Sequence, residues 1–227
     1  MGKKQLLSAF KIVTPLSAFG GVLISLFYAQ RDGYSHWSRR LLYFTAQSNL
    51  WIGIVFLLLI VFRKQTWKRR LYLFKYVFTV SITATGLIFC FLLAPFSDDS
   101  YTPWTFCNLL THVLTPLLTV ADFFLDDYRI PLKTGAVFSA LLPPLSYCVF
   151  AWILEGFQVD FGRGVCYPYF FLNYRSPAKL FGFSSERPFF VGSFYWLLLF
   201  LLLILGISFF YARYQRKKSA SFSITGF

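Results

Sequence analysis

Six stretches of this 227-residue chain are almost wholly apolar, running approximately Leu7 to Gln30, Leu41 to Phe62, Leu71 to Ala94, Thr105 to Leu125, Thr134 to Leu154 and Phe189 to Ala212. An α-helix needs about 20 apolar residues to cross a hydrocarbon core of roughly 30 Å, so each stretch is long enough to span a bilayer. The chain is 57% hydrophobic and 22% aromatic, and most connections between stretches are short. That leaves no room for a separate soluble domain. The expectation is an all-α integral membrane protein, one domain over residues 1–227, built as a bundle of six transmembrane helices.

The formal net charge of +13 could suggest a nucleic-acid binder, but the basic residues cluster at the ends of the apolar stretches. With the N-terminus in the cytoplasm, thirteen fall inside: Lys3, Lys4, Arg63, Lys64, Lys68, Arg69, Arg70, Arg129, Lys133, Arg213, Arg216, Lys217 and Lys218. Seven fall outside, Arg31, Arg39, Arg40, Arg163, Arg175, Lys179 and Arg187, with Lys11 and Lys75 in helix ends. The short connection from Pro95 to Trp104 has no basic residue and carries Asp98 and Asp99. The positive-inside bias therefore places both termini in the cytoplasm. The expected partners are membrane lipids, as substrate or ligand, and not nucleic acid.

Several signatures are absent. Leu6 stands where a myristoylated chain has Ser or Thr, and no small-x-small site follows the first apolar run to mark a cleaved signal peptide. That run is read as a helix, whose Ser17, Gly21 and Ser25 recur every four residues and let another helix approach closely. Four cysteines without a close cysteine or histidine pair do not resemble a zinc site, and no metal or cofactor is expected. Cys107 and Cys166 both fall near the outer surface and can pair if that compartment is oxidising. Neither a phosphate-binding glycine loop nor a G-x-S-x-G elbow is present.

Within the fourth stretch, Asn108, His112, Thr115, Thr119, Asp122 and Asp126 are spaced four, three, four, three and four, so all six lie on one helix face. In a bilayer an ionisable group must face protein or water, so the stripe marks an interior site. Asp122 is about 15 Å along the helix from His112, too far to orient the imidazole. Its expected place is the cytoplasmic interface, capping the helix or pairing with basic residues. Asp98, Asp99 and His36 are expected to solvate loops.

The second stretch opens on a polar interruption in which Thr45, Ser48 and Asn49 share a face. Entering from outside, Thr45 should lie about 6 Å below the outer helix end and His112 about 10 Å below it, so the two can share a depth. A hydroxyl is a weak nucleophile until a nearby base removes its proton, and histidine is the natural base near neutral pH. At that depth the pair would meet lipid ester carbonyls, which points to acyl transfer, with amide donors from Asn49 or Gln47 to stabilise the oxyanion. Ser48, Asn108, Thr115, Tyr167 and Asn173 complete the candidate substrate-binding or oxyanion-stabilising set. Read singly, Thr45 equally fits back-bonding to a carbonyl one turn earlier. Pro116 removes the backbone donor that would bond the His112 carbonyl, so a kink or water pocket is expected beside the histidine.

Glu155 to Pro188 forms a 34-residue outer connection between helices 5 and 6. Long loops of this sort are functional lids or disordered, and its centre, Val165 to Tyr174, is too aromatic for disorder. It is read as a cap dipping into the outer mouth, although each aromatic taken singly also fits an interfacial belt.

The combination of Phe44-Thr45-x-x-Ser48-Asn49, His112-Val-Leu-Thr-Pro116-Leu117-Leu118 with Asp122, and Tyr167-Pro168-Tyr169-x-Phe171-Leu172-Asn173 resembles the androgen-induced / androgen-dependent TFPI-regulating protein family of six-helix intramembrane threonine hydrolases. The resemblance, over nearly the whole chain in helix count and order, is to its bacterial-type relatives. It implies a multi-pass protein of a bacterial cell membrane that hydrolyses fatty acid esters of hydroxy fatty acids or similar lipid esters. Thr45 would be the nucleophile and His112 the base. Where relatives often have Asp after the Tyr-Pro segment, this chain has Asn173. Two other functions use the same residues differently. A membrane acyltransferase would hand the acyl group to a lipid acceptor, and a non-catalytic lipid-binding protein or small transporter would use the Asn108–Asp126 stripe as a path. No internal repeat between the two halves supports transport.

Overall fold

The computed structural model describes residues 2–62, 65–96, 102–128, 132–162 and 164–224. Arg63, Lys64, Asp98, Asp99, Arg129 and Arg163, invoked above for topology or loop solvation, lie outside the described residues. The chain is 72% helix, and among the described residues the only extended pairings are two isolated bridges, Gly162 with Val165 and Phe183 with Val191.

Six helices are long and apolar enough to cross a membrane: α1 (Lys3–Phe27), α2 (Phe44–Val61), α3 (Trp67–Leu93), α4 (Phe106–Leu125), α5 (Thr134–Gly156) and α6 (Ser193–Ser219). The expected segments and the observed ones coincide in number and order, and differ at their ends. Leu41 to Tyr43 do not belong to α2. They close a 3-10 turn, Trp37–Leu42, begun by the His36 ring accepting from the Ser38 N–H, and Tyr43 in extended conformation then restarts the chain as α-helix. Phe189 to Gly192 lie outside α6, because the Gly192 N–H is taken by the Gly182 carbonyl and the chain is still in its preceding turn. At its other end α6 continues helical to Ile224, well past Ala212. There Arg216 Nε donates to the Leu132 carbonyl and Lys218 Nζ to the Phe124 carbonyl, satisfying an acceptor that the end of α4 leaves without a helical partner.

α1, α2, α3 and α4 pack as one cluster, with α6 against α3 and the first turns of α5. The Ser17-Gly21-Ser25 stripe of α1 faces α4: a Cβ on Gly21 would come within 2.6 Å of Thr111 Cγ2, and Ser17 Oγ donates to the Leu110 carbonyl at 3.3 Å. α5 is broken in its first half, where the helix Thr134–Ser139 stops and Leu142–Gly156 resumes with Pro143 and Pro144 in its first turn, positions at which a missing N–H costs nothing.

Two π turns face each other near the end of the bundle at which α2 begins, Phe89–Leu93 closing α3 and Leu110–Leu114 within α4. The α4 turn precedes Pro116. Within it the Thr115 N–H reaches back five residues to Leu110, and Pro116 has no N–H to offer. The Thr111 carbonyl, left without its helical donor, instead accepts from Asn49 Nδ2 of α2 at 3.1 Å. The interruption expected at Pro116 is therefore a π turn that contains His112 and ties α4 to α2.

Candidate functional site

Thr45 stands in the first turn of α2, one residue from its start and not four as the sequence suggested, and His112 six residues into α4. Both nevertheless line one cavity of about 340 Å³, together with Tyr34, Arg40, Asn108 and Tyr169. The Thr45 N–H donates to the Tyr169 hydroxyl at 3.4 Å, and Thr45 Oγ1 lies 3.4 Å from the same oxygen. Thr45 thus has a partner other than the back-bonded carbonyl that a structural threonine would use.

His112 is buried and stacked face to face on Phe89, with ring centroids 3.8 Å apart and planes 11° from parallel. Its ring is hydrogen-bonded to the backbone of Thr85. Nδ1 is buried and has no hydrogen-bond partner. Gly86, one residue on, brings α3 against this point: a Cβ there would sit 2.9 Å from the His112 carbonyl oxygen and 3.2 Å from Pro116 Cβ.

The remaining candidates divide. Asn108 lines the cavity, with its Nδ2 donating to the Pro103 carbonyl at 2.8 Å. Asn49 is fully buried behind Thr45, and both of its amide hydrogens are taken, by the Thr45 carbonyl at 2.9 Å and the Thr111 carbonyl at 3.1 Å. It holds α2 to α4 and has no donor left for an oxyanion. Gln47 Nε2 bonds the Leu41 carbonyl at 3.2 Å, Ser48 Oγ lies between the Thr45 carbonyl and Thr85 Oγ1, and Thr115 Oγ1 donates to Ser17 Oγ at 2.9 Å. None of these three lines the cavity. Tyr167 and Asn173 also stay away from it: the Tyr167 ring meets Phe189, and Asn173 Oδ1 accepts from the Arg175 N–H at 3.0 Å, a turn bond within its own loop.

The loop residues that do reach the cavity are Pro168, Tyr169 and Phe170. Tyr169 is the functional candidate that sequence reasoning missed. It stacks on Phe171 at 5.0 Å and meets Tyr43 edge-on at 5.7 Å, so its hydroxyl is fixed beside Thr45. Burial pushes that phenol up to about 12, against the opposing hydrogen bonds from Thr45, so it remains a donor at ordinary pH. Burial likewise pushes Tyr43 well above the usual phenol range. The signal was period: within Tyr167-Pro168-Tyr169 the residue facing Thr45 is the one after the proline.

The cavity continues in two directions. Through Arg40 and Asn108 it meets a larger space of about 800 Å³ lined by Arg31, Asp32 and Cys107, where Arg40 pairs with Asp32 and its guanidinium lies 4.1 Å above the Tyr34 ring. Through Thr45, Leu93 and Tyr169 it meets an apolar slot of about 80 Å³ between α3, α5 and α6. Cys90, Cys107, Cys148 and Cys166 are free thiols. Among the described residues no three His, Cys, Asp or Glu side chains group as a metal site.

Asp122 and Asp126, the far end of the polar stripe, meet Lys75 of α3. Lys75 Nζ pairs with Asp122 and, at 2.9 Å, with Asp126, which also accepts from the Tyr72 hydroxyl at 2.6 Å and lies 3.7 Å from Lys11. Asp122 was expected to find basic residues at a helix end. The partner is one buried lysine from the neighbouring helix.

Compared with known proteins, the chain matches no family model, no curated protein and no solved structure.

Proposed function

We propose that the chain is an intramembrane hydrolase of lipid esters in which Thr45 is the nucleophile and His112 the base. One observation carries this reading: a hydroxyl-bearing residue from α2 and a histidine from α4 line the same cavity, which adjoins an apolar slot. The resemblance of the Thr45, His112 and Tyr167–Asn173 segments to the intramembrane threonine hydrolases, with fatty acid esters of hydroxy fatty acids as substrates, supports the same assignment.

Thr45 Oγ1 attacks the ester carbonyl carbon while the His112 imidazole takes its proton. The negative charge that develops on the carbonyl oxygen is met by the Thr45 N–H and the Tyr169 hydroxyl, the two donors adjacent to the nucleophile. Collapse expels the alcohol, which receives the proton from His112 and leaves an acyl-threonine. Water, deprotonated by the same imidazole, then attacks the acyl carbon, releases the fatty acid and returns the proton to Thr45. The scheme uses no cofactor.

The bias of basic residues puts both termini in the cytoplasm and the chamber toward the outer leaflet of what would be a bacterial cell membrane. The polar stripe does not favour transport, because Thr115 and Thr119 below His112 are fully buried and bonded to Ser17 and to the Thr115 carbonyl, and Lys75 closes the far end. Thr45→Ala and His112→Ala should each lower ester hydrolysis by at least about 10³-fold and abolish labelling by a fluorophosphonate probe. Persistent labelling and turnover in both variants would refute the assignment, and transfer to added lysolipid without release of fatty acid would make the enzyme an acyltransferase.

A further inference from the structure

The slot beside Thr45 has a composition unlike the chamber it joins. Thr45 and Tyr169 close one end; the walls are Ile88 of α3, Leu145 and Cys148 of α5, and Leu197, Leu201 and Ile204 of α6. From Leu142 onward α5 barely approaches α6 directly, although both flank this space. Leu145 lines the slot and is also 40% exposed, so the slot opens sideways through the bundle wall and not along its axis. The rim is apolar and outward-facing on both helices, with Leu142 and Val149 on α5 and Leu198 and Leu202 on α6. On helices that span a bilayer, such a rim faces hydrocarbon.

We infer that the gap between α5 and α6 is a lateral portal through which a bilayer lipid passes one acyl chain into the slot, seating its ester carbonyl at Thr45. This rests on the hydrolase reading for the identity of the bond presented. An occupant other than an acyl chain does not fit. The wall residues offer no charge, and the polar side chains at the slot's ends belong to Thr45, Thr85 and Tyr169. At about 80 Å³, a few water volumes, the slot holds only the carbons next to the carbonyl, and the rest of the chain lies in the portal among lipid tails. The alcohol half of the ester then points the other way, into the polar chamber toward Arg40 and Asn108. The substrate never leaves the bilayer to be cleaved.

Leu201→Trp fills the slot without touching Thr45 or His112. Turnover of a 4-nitrophenyl palmitate should fall at least tenfold, whereas turnover of the acetate ester, which places a single methyl in the slot beside Thr45, should fall severalfold less. Equal loss on both esters, or on neither, would overturn the portal. Because Leu201→Trp can fail to fold, a second measurement uses Thr45→Ala in vesicles with a palmitoyl ester bearing a diazirine on a carbon close to the carbonyl. Adducts should map to the facing sides of α5 and α6, around Leu145, Cys148 and Leu201. Adducts on α1 and α2 instead, or spread evenly around the bundle, would overturn it. Cross-linking needs no turnover, so the portal and the hydrolase chemistry fail separately.

Discussion

The two ends of the bundle bury polar groups in opposite ways. At the Lys75 end, one ammonium faces two carboxylates, a tyrosine hydroxyl completes the coordination of Asp126, and a second hydroxyl, on Tyr76, bonds both the carbonyl and the side chain of Ser208. At the Thr45 end, the groups stand around a cavity: Thr45, Asn108 and His112 line it, and the Thr45 hydroxyl reaches Tyr169 only at 3.4 Å. In a medium with no water to fall back on, an unsatisfied polar atom costs free energy. The first end uses polarity to fix how α1, α3 and α4 sit. The second arranges polar side chains around a cavity, which the proposed function assigns to a lipid ester.

The largest expected effect tests the closed end. Lys75→Met leaves Asp122 and Asp126 side by side without their shared cation, and removing one partner of a buried pair costs about 3–5 kcal/mol. The variant should melt far below the unsubstituted protein in detergent, while hydrolysis per folded molecule is unchanged. Loss of turnover at unchanged stability would mean that the stripe acts as a path. The same end predicts a pH response. Burial alone would raise the Asp126 carboxyl, but Lys75, the Tyr72 hydroxyl and the Tyr128 N–H outweigh it and hold the group well below the ordinary carboxylate range. Its contribution to stability is therefore fully present above pH about 4, the unfolded value, and is lost only as pH falls through the lower folded value. Thermal melting followed from pH 7 to 3 should show little loss from this group until below pH 4.

A smaller change tests the open end. Tyr169→Phe removes one of two donors beside Thr45, and because the bond is long in the resting state the cost should sit at the low edge of oxyanion-donor effects, about 10- to 100-fold in kcat. KM should change little. Thr45→Ala abolishing hydrolysis while Tyr169→Phe leaves kcat untouched would keep the nucleophile and remove the phenol from the mechanism.

Six helices were legible because apolar length is a one-dimensional property, read from Leu7 or Thr134 without knowing any neighbour. That Thr45 and His112 lie at a similar depth, lining one cavity, was legible for a related reason, since depth follows from residue count along each helix. What depended on local hydrogen bonding was not: the 3-10 turn that moves Thr45 to the very start of α2, and the π turns that free the Thr111 carbonyl for Asn49. The oxyanion candidates failed at that level, because an amide's availability is set by which carbonyls lack donors. Likewise, composition identified the aromatic loop between α5 and α6 but not its register. One residue decides whether Tyr167 or Tyr169 faces Thr45.

The smallest expected effect follows from that register and separates this structure from the resemblance. On the proposed function, whose family often has Asp after the Tyr-Pro segment where this chain has Asn173, Asn173→Asp would be the natural substitution for raising activity. In the fold, Asn173 Oδ1 accepts from the Arg175 N–H, lines no described cavity and is separated from Thr45 by the Tyr169–Leu172 turn. A carboxylate oxygen can accept the same hydrogen bond, so the loop keeps its shape, but Asn173 is only 9% exposed and the added charge should lower stability by about 1–3 kcal/mol. Hydrolysis per folded molecule should stay within about twofold, because the new carboxylate lines none of the cavities around Thr45. A tenfold rise would mean that this loop reorders on binding lipid and that the open end of the bundle is completed by a residue that the resting fold holds elsewhere.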